Sequence, residues 1–187
     1  MNKLKIITST TREGRKGISV ANWINELAVA SNNFDVELID LKELDLPFMN
    51  EPNHPSLGNY QYEHTKKWSK TIAEADAFII VLAEYNYGFP APIKNAIDYL
   101  FKEWQCKPVA FVSYGGVSAG LRSTQMLKQV LTTLDMMPIS TQVNLPFFAK
   151  SIDEDGNFKP KEERVANSAK KMLDELLKWS TSMQALR

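Results

Sequence analysis

The chain has 187 residues, of which 44% are hydrophobic, so we expect residues 1–187 to form a single domain with a sizeable core. Its 22 lysines and arginines balance 22 aspartates and glutamates, which gives a formal net charge of zero. This balance argues against nucleic acid or an anionic membrane as a partner, because both bind basic surfaces.

Other features of the sequence limit the compartment and the chemistry. The one cysteine, Cys106, excludes an intrachain disulfide and fits a reducing compartment, so we expect a cytoplasmic protein. The N-terminus lacks the apolar region of a secretory signal, and every apolar run is far shorter than the ~20 residues of a membrane helix. His54 and His64 have no partners at metal-ligand spacing, so we expect no metal site.

The apolar pattern predicts strands and helices in alternation. The predicted strands cover 4–9, 34–39, 77–82, 108–113 and 138–143, and the predicted helices begin near Ser19, as an N-cap, and cover 63–74, 91–104, 119–134 and 161–180. The 34–39 strand alternates apolar and charged residues, as at a sheet edge, whereas 77–82 is continuously apolar, as expected when helices cover both faces. The long connection 40–62 is of a kind that often serves a function.

Five alternations of strand and helix predict a doubly wound α/β fold. Right-handed crossovers place helices on both faces of a five-stranded parallel sheet, and five strands suit the flavodoxin-like order 2-1-3-4-5. The winding then reverses between strands one and three, where ligands bind at the carboxyl edge of such sheets. The loops 10–17, 84–90 and 114–116 open at this edge, so we expect them to meet around one ligand.

The first of these loops has the composition of a phosphate cradle. Thr10 and Thr11 supply hydroxyl groups, Arg12 offers charge-assisted hydrogen bonds, and the start of the next helix adds positive potential. The loop lacks the glycine-lysine-serine ending of a nucleotide P-loop and the GxGxxG of a dinucleotide site. A solvated strand-to-helix turn is the alternative interpretation.

The other two loops suit a planar ligand. Backbone groups of 84–87 would meet the polar edge of an isoalloxazine ring, and the glycines after Tyr114 would allow close approach of a ring on which Tyr114 packs. Alternatively, the aromatic residues of 84–90 pack on a neighbouring segment or a second subunit, and 114–116 is a tight turn. The sequence contains no nucleophile-base-acid set, so we predict no catalytic side chain and a cofactor that carries the chemistry.

The same stretches carry a resemblance to a known family. They are Ser9-Thr10-Thr11-Arg12 after strand one, Glu84-Tyr85-Asn86 with Pro90 and the 94–98 segment after strand three, and Tyr114-Gly115-Gly116 after strand four. In these pieces, and over nearly its whole length, the chain resembles the NADPH-dependent FMN reductases. This flavodoxin-like group includes NAD(P)H quinone reductases, azoreductases and chromate reductases.

The resemblance implies an FMN site made of three groups of residues. They are Thr10, Arg12, Arg15, Gly17 and Ser19 for the phosphate, Glu84, Tyr85, Asn86 and Tyr87 for one side of the ring, and Ser113, Tyr114 and Gly115 for another side. It also implies NADPH or NADH as electron donor, and a homodimer or homotetramer. The family usually has glycine at the position of Ser9, proline at that of Ala83 and a small residue at that of Tyr87, so we expect Tyr87 to narrow the site over the ring.

Together these observations predict an FMN-dependent NAD(P)H oxidoreductase. Hydride would pass from the nicotinamide to the flavin, and a quinone, azo compound, free flavin or similar small acceptor would then take the electrons. A non-enzymatic electron carrier of the flavodoxin type is one alternative, although such carriers usually have a strongly acidic docking face and this chain is neutral. A redox sensor that uses flavin is the other alternative.

Overall fold

The structure, a computed structural model that describes residues 1–187, contains one parallel sheet with helices on both of its faces. The strands are β1 (Asn2–Thr8), β2 (Phe34–Ile39), β3 (Ala77–Ala83), β4 (Pro108–Gly115), β5 (Met137–Pro138) and β6 (Val143–Pro146). The helices are α1 (Gly17–Ala30), α2 (Leu41–Leu44), α3 (Glu63–Ala73), α4 (Ala91–Asp98), α5 (Leu121–Thr132) and α6 (Glu163–Met183). No helix combines the length and the apolarity that crossing a membrane requires.

The strand order confirms the predicted topology. The strands are arranged β2-β1-β3-β4-β5, and every neighbouring pair is parallel. β2 pairs only with β1, which confirms its predicted place at the sheet edge. Because parallel strands point their carboxyl ends to one edge, the loops that follow β1, β3 and β4 leave the sheet side by side.

The last strand differs from its prediction. The sequence predicts one strand over 138–143, but the structure has two short segments, β5 and β6, which pair with successive parts of β4. The N–H of Ile139 still donates to the Val109 carbonyl oxygen, at 2.9 Å, so the break lies after Ile139. Thr141, between the two segments, bonds to Glu175 of α6 instead. β6 then continues to Pro146, which brings the chain to the carboxyl edge of the sheet beside β4.

Two apolar clusters hold the layers together, one on each face of the sheet. The first lies between the sheet and helices α1 and α6 and includes Ile6, Val81 and Leu173. The second lies between the sheet and helices α3, α4 and α5 and includes Ile80 and Trp68. Successive side chains of β3 point to opposite clusters, so the whole strand is buried. Each fully buried aliphatic side chain contributes ~1.5–3 kcal/mol to the stability of the fold. The position of the loop after β3 is therefore fixed by a well-packed strand.

Several helix boundaries differ from the predictions. α1 begins at Gly17, and its N-cap is Lys16, so the predicted capping role of Ser19 is wrong. The predicted helix over 91–104 consists of α4 and a separate 3-10 turn at Lys102–Trp104. The earlier start of α1 places the helix N-terminus directly after the cationic loop.

The long connection after β2 is fixed on the helices beside it. The buried carboxylate of Glu51 accepts hydrogen bonds from the backbone N–H groups of Gln61 and Tyr62, at 2.8 and 3.0 Å. Asn95 of α4 donates to the carbonyl oxygen of Pro47 at 2.7 Å. The Glu51 bonds close the connection on itself, and the Asn95 bond holds it against α4.

Candidate functional site

A cavity of about 450 Å³ opens at the carboxyl edge of the sheet. Its walls come from the segments that follow β1, β3, β4 and β6. The lining residues are Arg12, Arg15, Lys16, Ala83, Glu84, Tyr85, Tyr114, Gly115, Gly116, Phe147, Phe148, Ala149 and Lys150. Small-molecule sites typically measure about 300–1,000 Å³, so the cavity is large enough for a ligand of that class.

A second cavity, of about 800 Å³, shares Arg12 and lies against α2 and α4. Its charged lining residues are Arg12, Lys42, Glu13, Glu43 and Asp45, so acids outnumber cations there. The smaller cavity has four cations, Arg12, Arg15, Lys16 and Lys150, against the single carboxylate of Glu84. Charge therefore favours the smaller cavity as the site of an anionic ligand.

Most of these cations lie on the loop between β1 and α1. Arg12, Arg15 and Lys16 line the cavity, and α1 begins directly after them at Gly17. No side chain at the N-cap accepts a hydrogen bond from the first N–H groups of the helix. These N–H groups carry the positive end of the helix dipole. The arrangement suits a phosphate group.

Arg15 is held by a carboxylate that follows β2. It forms an ion pair with Asp40, and both side chains are largely buried. Asp40 also accepts hydrogen bonds from Thr8 Oγ1 and from the backbone N–H of Lys42, each at 3.0 Å. The Nε of Arg15 is buried and has no hydrogen-bond partner, although an unsatisfied buried donor costs ~1–3 kcal/mol. Arg15 thus has one unused donor, on a side chain that lines the cavity.

The segment after β3 forms a tight antiparallel turn. Tyr85 and Gly88 exchange two backbone hydrogen bonds of 2.9 Å each. Asn86 and Tyr87, between them, have φ angles of +49° and +71°. Two positive φ angles are typical of a type I′ turn, which glycine and asparagine favour. Tyr87 therefore has a strained backbone conformation, and its side chain is 67% exposed.

Arg122, near the start of α5, holds this turn from outside the cavity. Its Nε and Nη2 lie 2.6 and 2.5 Å from Glu84 Oε1, and its backbone N–H donates to Oε2 at 3.2 Å. The guanidinium also lies over the Tyr87 ring, 3.8 Å from the ring centre. Burial alone would raise the pKa of Glu84, but the hydrogen bonds from Arg122 and Ser118 outweigh burial and lower that pKa. The carboxylate of Glu84 is therefore ionised and already satisfied within the protein.

The end of β4 presents one aromatic side chain to the cavity. Tyr114 lines it, and the Tyr114 ring packs on Phe148 with the ring centres 4.5 Å apart. The Tyr114 hydroxyl lies 3.4 Å from Thr10 Oγ1, and burial raises the pKa of Tyr114 to about 12. The neighbouring Ser113 is fully buried, and its Oγ donates to the Ala119 carbonyl oxygen at 2.7 Å.

The three predicted loops meet at this cavity. Arg12 Nε donates to Tyr85 Oη at 3.2 Å, which joins the first loop to the second, and the contact of Thr10 with Tyr114 joins the first to the third. Of the predicted site residues, Arg12, Arg15, Glu84, Tyr85, Tyr114 and Gly115 line the cavity. Thr10 and Gly17 are buried against Tyr114, whereas Asn86, Tyr87 and Ser113 are not in the cavity wall and Ser19 lines a separate hollow beside Trp23.

Two features of the cavity were not predicted from the sequence: the segment 147–150, which forms one wall, and Arg122, which holds the turn at 84–88. The segment 147–150 lines the cavity because β6 brings it to the carboxyl edge beside β4. The consecutive aromatic residues Phe147 and Phe148 after the last predicted strand are the signal for this wall. Arg122 had no local signal, because its role depends on where α5 begins relative to Glu84.

The lining residues fit FMN in charge and in shape. One end has the cations Arg12, Arg15 and Lys16 and the start of α1, which suit the phosphate. The other end has Gly115 and Gly116, and a Cβ added to Gly116 would meet no atom within 4 Å. The bare backbone there borders open space, so a flat ring system can approach it closely.

Comparisons with known proteins identify relatives of the chain. Residues 2–150 match the family model of the NADPH-dependent FMN reductases. The chain is 40% identical over 148 residues to an NAD(P)H-dependent FMN reductase of Schizosaccharomyces pombe, an alignment that covers 77% of this chain and 74% of that protein. It is 31% identical over 144 residues to a quinone reductase of Escherichia coli, which covers 72% and 73% of the two chains.

The fold is also found among solved structures. The flavoenzyme NAD(P)H:(acceptor) oxidoreductase FerB of Paracoccus denitrificans aligns with 98% of this chain and 99% of its own, with a TM-score of 0.78. The two sequences are 22% identical, so this likeness concerns the architecture alone.

Proposed function

The chain belongs to the NADPH-dependent FMN reductase family, and we propose that its cavity of about 450 Å³ is where it binds FMN and where its reaction takes place. The protein is an FMN-dependent NAD(P)H oxidoreductase. When bound, FMN supplies the hydride-transfer chemistry between NAD(P)H and a small-molecule acceptor. One observation carries the placement: a single cavity combines a cationic helix start with a bare glycine backbone.

At the phosphate end, two arginines bind the anion from different directions. Arg12 is exposed, is oriented by its bond to Tyr85 Oη and lines the cavity. Arg15 is oriented by its ion pair with Asp40 and lines the cavity. Charge-assisted hydrogen bonds of this kind contribute ~1.5–3 kcal/mol each, so this end dominates the affinity for the cofactor.

At the ring end, the turn at 84–88 and the glycines at the end of β4 would bind the flavin ring. The turn at 84–88 is fixed by its own hydrogen bonds and by Arg122, and Gly116 has open space where a side chain would lie. Groups fixed before the reaction need no reorganisation as charge develops on the ring. No side-chain acid is required for hydride transfer, so the chain's part is to bind, to orient and to exclude water.

The acceptor that we propose is a quinone, an azo compound, free flavin or a similar small planar molecule. The relative from Escherichia coli is named a quinone reductase, which supports this class. We also propose a cytoplasmic homodimer or homotetramer in which residues 1–187 act as one FMN-binding domain. Large apolar side chains that a second copy could cover support the assembly, namely Phe48, Tyr87 and Phe147, which are 84%, 67% and 51% exposed.

The test is a visible spectrum of the full chain before and after NADPH is added without oxygen. The protein should show flavin bands when purified, or after incubation with FMN and desalting, and NADPH should bleach them. Arg12→Ala should retain less FMN, whereas Lys42→Ala, a matched control in the other cavity, should retain as much as the natural chain.

Two results would contradict the proposal. A chain that shows no flavin bands after incubation with FMN would overturn the assignment of the cavity. A bound flavin that NADPH does not bleach would indicate a carrier that receives electrons from a protein, or a sensor.

A further inference from the structure

The first residue of α1 lacks a side chain for a reason that lies across the cavity. A Cβ added to Gly17 would lie 2.0 Å from the hydroxyl oxygen of Tyr114, a distance that no real contact allows. Gly17 is helical, so its backbone conformation does not require glycine. Glycine in a helix costs ~1 kcal/mol relative to alanine. The residue is therefore explained by the space that the Tyr114 hydroxyl occupies.

That hydroxyl lies at the N-terminus of α1, where no N-cap side chain serves the first N–H groups. Its contact with Thr10 Oγ1, at 3.4 Å, is long for a bond between two hydroxyl groups, which is usually about 2.7–2.8 Å. Tyr114 is only 5% exposed, and the part that is not covered by protein lines the cavity. The contact of the hydroxyl with Thr10 is thus a weak hydrogen bond, and a closer acceptor would bind the hydroxyl more strongly.

The protonation state suits a donor. Burial raises the pKa of Tyr114 to about 12, so the hydroxyl keeps its proton at neutral pH. The cations of the phosphate end, Arg12, Arg15 and Lys16, line the same cavity as Tyr114. An anion placed among them and against the start of α1 would be a closer and stronger acceptor for the hydroxyl than Thr10.

We propose that the Tyr114 hydroxyl donates a hydrogen bond to the phosphate of FMN, and that Gly17 is required because it admits this hydroxyl to the helix N-terminus. The proposal rests on the proposed function of the cavity. It changes the role expected for Tyr114 from the sequence, which is packing against the flavin ring. The Tyr114 ring packs on Phe148, and its polar tip reaches the phosphate end.

The experiment compares two flavins that differ in the phosphate alone. The flavin-free full chain and its Tyr114→Phe variant are titrated with FMN and with riboflavin, and the quenching of flavin fluorescence gives each dissociation constant. Loss of a hydrogen bond to a charged group should weaken FMN binding about ten- to a hundredfold. Riboflavin binding should change less than about twofold, because riboflavin has no phosphate to accept that bond.

The ratio of the two affinities is the deciding quantity, because a general loss of packing would affect both flavins alike. Tyr60→Phe is the matched control: its hydroxyl donates to Glu103 at 3.1 Å, away from the cavity, and its removal should leave the ratio unchanged. Equal weakening of both flavins by Tyr114→Phe, or no weakening of either, would overturn the phosphate role. A natural chain that binds neither flavin would instead overturn the proposed function.

Discussion

The two ends of the cavity are built in different ways. The proposed phosphate end is mostly local, since its cations and the start of α1 lie within 10–17. The proposed ring end is assembled from distant parts, namely the turn at 84–88, Arg122 of α5 and the segment 147–150. Substitutions at the phosphate end should therefore change the affinity for FMN directly, whereas substitutions at the ring end should first change the stability of the fold.

The largest expected effect is that of Arg122→Ala. Glu84, whose side chain is 7% exposed, would keep its charge without its main partner. Breaking a buried pair from one side costs ~3–5 kcal/mol, and Arg122 is 41% exposed, so we expect a loss of about 2–3 kcal/mol in the free energy of unfolding. Denaturant unfolding of the flavin-free chain measures this loss.

The matched control for that substitution is the double variant Arg122→Ala with Glu84→Gln. It removes the buried charge together with its partner, and it should recover more than half of the lost stability. If the single variant lost less than about 0.5 kcal/mol, as is usual for a surface substitution, the ring end would not depend on this pair.

The same pair predicts how acid affects the ring end. The pKa of Glu84 is lowered in the folded chain from an ordinary value of 4.5. A lowered pKa means that the folded state binds the proton less readily, so the stabilisation is fully present above that ordinary value and is lost as the pH falls through the lowered one. Natural chain and Glu84→Gln should therefore converge in stability when unfolding is measured from about pH 6 down to about pH 3. A constant difference across that range would contradict the lowered pKa.

At the phosphate end, Arg12→Ala should weaken FMN binding with little effect on the fold. Arg12 is exposed, so we expect about a tenfold increase in the dissociation constant, near the lower limit for a hydrogen bond to a charged group. Thermal unfolding without FMN should change by less than about 0.5 kcal/mol, as for other surface substitutions. An Arg12→Ala variant that lost stability but kept its FMN affinity would reverse the comparison between the two ends.

The contrast between the two ends also explains how far the sequence could be interpreted. The alternation of apolar stretches predicted the sheet order, because the burial of β3 on both faces follows from continuous apolar residues. The loop 10–17 could be predicted as a phosphate cradle because its hydroxyl and cationic residues are contiguous in the sequence. Arg122 was missed because only packing places the start of α5 against Glu84. The division of the last strand was missed because the sequence does not show that residues 140–142 leave the ladder and that Thr141 bonds to Glu175 of α6.

Tyr87 gives the smallest expected effect and the sharpest measure of strain at the ring end. Its φ angle of +71° costs a non-glycine residue about 1 kcal/mol, while its contact with Arg122 returns ~0.5–1 kcal/mol. Tyr87→Ala should lose the contact and keep the strain, for a net loss of ~0.5–1 kcal/mol in the free energy of unfolding. Tyr87→Gly should lose both the contact with Arg122 and the backbone strain, so its free energy of unfolding should be close to that of the natural chain.

The difference in stability between these two variants measures the backbone strain at position 87 alone, because neither variant retains the aromatic ring of Tyr87. Glycine should be more stable than alanine at this position by about 1 kcal/mol in denaturant unfolding. Equal stability would mean that the turn relaxes when the ring is removed, in which case the contact with Arg122, and not the pairing of Tyr85 with Gly88, holds the left-handed conformation. The ring end would then depend on α5 for its shape as well as for its stability.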